Sequence, residues 1–81
     1  MGYYVYVLKS ESSGRSYIGH SKDLNNRIEE HKSGKSLATR GGGPWKLIYH
    51  EEFQTRSDAM KREYYFKSRT GRSYLKDRDI L

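Results

Sequence analysis

Apolar and polar positions alternate between two rhythms along the chain. Tyr3-Tyr4-Val5-Tyr6-Val7-Leu8 is aromatic or aliphatic at every position. It is too short for a buried helix and rich in β-formers, so it predicts a strand covered on both faces. The turn-rich Ser-Glu-Ser-Ser-Gly of residues 10–14 follows, and Ser16-Tyr17-Ile18-Gly19 resumes the β pattern, which together predict an antiparallel hairpin. A side-chain period of two then puts Tyr4, Tyr6 and Leu8 on one side of the first strand, and Tyr17 and Gly19 on one side of the second.

From residue 21 the rhythm becomes helical. Ser21 or Asp23 can cap a helix and Gly34 can end it. Leu24, Ile28 and His31 fall at i, i+4 and i+7 with Arg27 beside them, so a cation points near the core. Residues 35–44, with Gly41-Gly42-Gly43, predict a loop without the spacing of a nucleotide-phosphate loop. Trp45 to Phe53 predicts a third strand, with Trp45 and Phe53 read as core. Thr55 and Asp58 resemble a capping box opening a helix to about Ser68. On that helix Ala59, Glu63 and Phe66 share a face, so a carboxylate sits on a stripe otherwise suited to burial. Thr70-Gly71 predicts a break before a short last helix through Tyr74 and Leu75.

Composition narrows the class. Eighty-one residues make one domain over residues 1–81 with a small core, and eight tyrosines assign much of the packing to rings with polar tips. With no Cys there is no disulfide and no cysteine zinc site. The first residues lack the features of a signal peptide and no run is long enough to cross a bilayer, so a cytoplasmic address and no membrane partner are expected. A formal charge of +6, with eight of the sixteen basic residues beyond position 55, points to an anionic partner.

The anomalies are two tyrosines on adjacent strands, Arg27 and His31 on an inward helix face, and Glu63 on another. Buried charge is costly unless paired or bound to something. An arginine fork matches phosphate oxygens, and a single carboxylate can hold a Mg²⁺ that keeps its waters and gains a phosphate ligand. Tyrosine, arginine, carboxylate and a basic surface together suit phosphodiester chemistry. The alternative for Arg27 and Glu63 is a plain buried ion pair. His20 and His50 carry no assigned role.

Tyr4-Val5-Tyr6, Tyr17-Ile18-Gly19, Asp23-Leu24, Arg27 ten residues past Tyr17, His31, and Ala59, Glu63 and Lys67 resemble the GIY-YIG nucleases. That family includes the nuclease module of the bacterial excision-repair incision enzyme, some homing endonucleases and some restriction enzymes. Tyr4 stands where the signature has Gly, His20 where some relatives carry Lys, and no Asn follows Glu63. The resemblance implies an α/β (α+β) fold, a three-stranded mixed sheet flanked by helices. It implies a metal-dependent DNA endonuclease acting in repair or recombination, with Mg²⁺ (or Mn²⁺) as cofactor, DNA as partner, and a repair protein supplying targeting. A binding module of the same fold with little turnover is the other reading. In the resemblance Tyr6, Tyr17, Arg27, His31 and Glu63 are catalytic, and Tyr6, Tyr17, Arg27 and Glu63 are expected to line one cleft. One tyrosine activates water, Arg27 stabilises charge on the phosphate, Glu63 binds the metal, and His31 relays a proton or fixes a tyrosine hydroxyl. Arg27, Lys67, Arg69, Arg72 and Lys76 are the expected nucleic-acid contacts.

Overall fold

A computed structural model describes residues 2–33 and 43–81. Its elements are β1 (Tyr3–Ser10), β2 (Ser16–Ser21), α1 (Leu24–Lys32), β3 (Trp45–Phe53), α2 (Arg56–Lys67) and α3 (Arg69–Asp77). The expected end of α1 at Gly34 and the glycine loop up to residue 42 lie outside the described residues.

Strand β1 takes the centre of a sheet ordered β2-β1-β3. Its sequence fits the position, because Val5, Tyr6, Val7 and Leu8 are all fully buried, with a strand at each edge and a core cluster on each face. The fold is the expected α+β sheet with helices, with one correction: it is antiparallel throughout rather than mixed. Strands β2 and β3 do run the same way, but on opposite flanks of β1, so no parallel pair forms.

The alternation along β1 divides the core in two. Val5, Val7 and Ile18 face α2 and α3, packing with Ala59, Phe66 and Leu75. Tyr6, Leu8 and Trp45 face the other way, with Tyr17, Leu24, Ile28 and Leu47 against them. The register with β3 slips between Val7 and Leu8, opposite Tyr49 and Leu47 respectively. The extra residue, Ile48, thereby joins Tyr49 on the α2 side.

The caps follow the sequence closely. The Asp23 side chain accepts from the Asn26 amide, and Thr55 accepts from the Asp58 amide. Between α2 and α3 the break falls at Ser68, which ends one helix and caps the next by accepting from the Gly71 amide. Gly71 therefore lies inside α3, not at a break. The reason is proximity: a Cβ there would sit 1.8 Å from the Tyr65 carbonyl oxygen. Replacing Gly71 with alanine is expected to force the helices apart and destabilise the fold by about 1–3 kcal/mol or more. A lowered thermal midpoint measures it, and an unchanged midpoint contradicts the close approach.

Candidate active site

Tyr6, Tyr17, Arg27 and His31 meet on the α1 side of the sheet. Because Tyr6 pairs with Gly19 across the hairpin, its ring passes over a residue without a side chain. A Cβ on Gly19 would come within 2.6 Å of the Tyr6 hydroxyl oxygen and 2.9 Å of the ring carbon that bears it. The second signature thus owes its glycine to the room Tyr6 needs.

The Tyr6 hydroxyl lies 2.9 Å from His31 Nε2, and both residues are buried. The rings of Tyr17 and His31 have centroids 4.9 Å apart, and those of Tyr6 and Tyr17 6.3 Å. Arg27 stands one helical turn before His31. Its Nη1 donates to Glu30 at 3.1 Å, while its buried Nε has no hydrogen-bond partner among the described residues. The strongest influence on the guanidinium is its side-chain contact with the Tyr6 hydroxyl, which raises the Arg27 pKa.

These neighbours set the protonation states. Burial pushes the Tyr6 hydroxyl up to about 12, against the opposing pull of the adjacent Arg27. Tyr6 is therefore a neutral phenol at neutral pH. It can donate a hydrogen bond to His31. Burial, reinforced by the charge of Arg27, holds His31 below its ordinary 6.5. The imidazole is thus neutral near pH 7, and Nε2 can accept from Tyr6 when the proton sits on Nδ1.

A group whose folded pKa is depressed resists a proton that the unfolded chain accepts, so its contribution to stability is lost as pH falls. For His31 the loss begins near 6.5 and continues down to the folded value. The free energy of unfolding by denaturant is expected to fall as pH drops below about 6.5, and the fall should shrink in His31→Gln. Glu51 and Glu63, held below 4.5, act in a separate and more acidic window.

Glu63 reaches the sheet from the other side. The alternation that puts Tyr17 and Gly19 beneath α1 puts Ile18 and His20 beneath α2, and His20 Nδ1 lies 2.6 Å from Glu63 Oε1. Lys67 Nζ donates to Glu63 Oε2 at 2.8 Å. Burial raises the Glu63 pKa, but the bonds from Lys67 and His20 outweigh it and keep the carboxyl ionised. Arg27 and Glu63 do not pair; each has other partners. The structure therefore joins four of the five expected catalytic residues directly. It places Glu63 on the opposite sheet face, near enough for its charge to raise the Tyr6 pKa. His20 carried no role in the sequence, although counting two residues on from Ile18 puts it under α2.

Among the expected nucleic-acid contacts, Lys67, Arg69, Arg72 and Lys76 are all exposed. Arg69, Arg72 and Lys76 form one exposed stripe on α3 that flanks the face of buried Gly71 and Leu75. Arg72 reaches back to the Ser16 hydroxyl at 3.2 Å, at the start of β2. Trp45 is buried, as expected of a core residue. Among the described residues no helix is long and apolar enough to cross a membrane.

The model of the GIY-YIG catalytic domain matches residues 2–76. The chain belongs to the GIY-YIG family. Its relatives include UPF0213 proteins from Staphylococcus aureus strains Mu3 and Mu50, each 39% identical over 75 residues, covering 91% of this chain and 90% of theirs. The solution NMR structure of a UPF0213 protein from Bacillus halodurans is 38% identical and superposes with a TM-score of 0.57, covering 95% of this chain and 84% of that one. Within this GIY-YIG domain the Tyr4 that replaces the signature glycine is half-buried, and its hydroxyl donates to Glu52 at 3.4 Å.

Proposed function

We propose that the chain is a metal-dependent DNA endonuclease that hydrolyses one phosphodiester bond, working in the cytoplasm in DNA repair or recombination with a repair protein supplying the target. The observation that carries this reading is the buried Tyr6 hydroxyl held between Arg27 and a neutral His31, with Tyr17 packed against the same histidine. An arginine with a buried, unsatisfied Nε is a poor structural choice and a good phosphate ligand.

In this reading Arg27 binds the scissile phosphate and stabilises the charge that gathers on it. Tyr6 fixes His31 and, through it, the ring of Tyr17. Tyr17 orients the attacking water and takes its proton. A phenol takes a proton only as the phenolate, which a nearby cation favours. Water oxygen bonds to phosphorus as the P–O bond to the leaving oxygen breaks.

The donor set suits a divalent metal of the Mg²⁺ kind. No group of three His, Cys, Asp or Glu side chains gathers among the described residues, so an all-protein cage is not on offer. One ionised carboxylate, Glu63, provides a hard oxygen, and Mg²⁺ readily completes its shell with waters and substrate phosphate. Lys67, whose side chain is 53% exposed, is the partner that would swing away from Oε2 to admit the ion. An ion held by Glu63 would supply Lewis-acid stabilisation of the charge on the phosphate and the leaving oxygen. Arg69, Arg72 and Lys76 would hold flanking phosphates, giving a salt-dependent affinity.

The engagement of both Glu63 oxygens favours a second reading, a DNA-binding module with little turnover. Incubation of plasmid, nicked and branched DNA with Mg²⁺ or Mn²⁺ separates the two. Cleavage that disappears with a chelator, and falls about a hundredfold or more in Glu63→Ala, is the expected result. Binding without any cleavage by the wild type supports the second reading instead.

A further inference from the structure

Helix α2 shows three different flanks. Ala59 and Phe66 are buried beneath it, and Glu63 and Lys67 form its flank toward His20 on β2. An advance of about 100° per residue brings Met60 and then Tyr64 next round the helix, beyond Lys67. Among the described residues these two are the exposed large hydrophobics, Met60 at 44% and Tyr64 at 79%. With Arg56, Ser57 and Lys61 they line a shallow hollow on the helix surface. Packing does not account for Tyr64, because a ring so exposed adds almost nothing to the core.

We propose that this hollow is a stacking site for an unpaired nucleobase, so that the substrate is DNA with a single-stranded segment. The inference rests on the nuclease reading and narrows its substrate class. Three features favour a nucleic acid over a protein partner. Two apolar side chains are too few for the buried core of a protein interface. The basic residues Arg56, Lys61 and Lys67 outnumber Asp58 on the exposed side of the helix, matching a phosphate backbone. Any base presents a π-face to an exposed tyrosine, and a methionine thioether beside it makes favourable contact with an aromatic ring. Position supplies a reason for use as well. Tyr64 follows Glu63 directly, and Lys67 lies one turn from both, so a strand passing Glu63 continues over the hollow.

Fluorescence anisotropy with a labelled oligothymidylate and a labelled blunt duplex tests the proposal. Tyr64→Ala is expected to weaken oligothymidylate binding about fivefold or more and to leave duplex binding unchanged. Tyr64→Phe should keep wild-type affinity, and the added indole of Tyr64→Trp should be quenched by the oligonucleotide. Because Tyr64 is so exposed, these variants should fold as the wild type does. If the wild type binds oligothymidylate and Tyr64→Ala binds it equally well, the hollow is not a base site and this inference alone fails. If the wild type binds neither DNA, the nuclease reading falls with it.

Discussion

Arg27→Ala is expected to slow DNA cleavage about 100- to 1000-fold, the scale of losing one positioned donor to a developing oxyanion. The side chain is partly exposed, with one Nη committed to Glu30 and Nε without a partner among the described residues. Truncation removes the contact to the buried Tyr6 hydroxyl together with a surface ion pair, so a modest loss of stability is expected, far smaller than the loss of rate. A large loss of rate without a matching fall in thermal midpoint marks a residue kept for substrate. Arg27→Lys should recover little, because an ammonium lacks the planar fork that grips two phosphate oxygens. Unchanged cleavage by Arg27→Ala would remove the phosphate clamp from the mechanism.

Tyr17→Phe is expected to lower the cleavage rate about 100-fold or more while leaving DNA affinity intact. Phenylalanine preserves the ring that packs against His31, so the change is confined to one hydroxyl. The contrast with Tyr6→Phe separates chemistry from support. The Tyr6 hydroxyl is buried against His31 Nε2, and its removal leaves that nitrogen without the bond, at a cost of about 1–3 kcal/mol in stability. Tyr17→Phe should lose rate alone; Tyr6→Phe should lose rate and stability together. Equal stability losses in the two variants would contradict the division of roles.

Much of this arrangement is legible in the chain. Four successive apolar residues in β1 mark a strand covered on both faces, and that strand is central. Asp23 and Thr55 announce the starts of α1 and α2 through side chains that accept from amides three residues on. The helical spacing of Arg27 and His31 brings both to the tyrosines, because one turn separates them on a helix whose apolar side packs over Tyr6.

What the sequence conceals depends on contacts between distant segments. Gly71 reads as a helix breaker by composition, whereas it admits the Tyr65 carbonyl to α3. Strand direction depends on which flank of β1 receives β3, which no local pattern encodes. A pair between Glu63 and Arg27 is one alternative the sequence leaves open, whereas the period of two in β2 puts His20 under α2 and hands the carboxylate to it. His20 holds Glu63 where Lys67 alone would leave it on a flexible partner, and the pair keeps the carboxylate ionised.

The central claim is that this cluster cuts DNA. The most direct measurement is single-turnover cleavage of one labelled, forked duplex with Mg²⁺, comparing wild type and Tyr17→Phe at concentrations where both are bound. The wild type is expected to cut one strand, and the variant to bind as well but barely cut. Cleavage at the same rate by both proteins, or none by either, would contradict the claim.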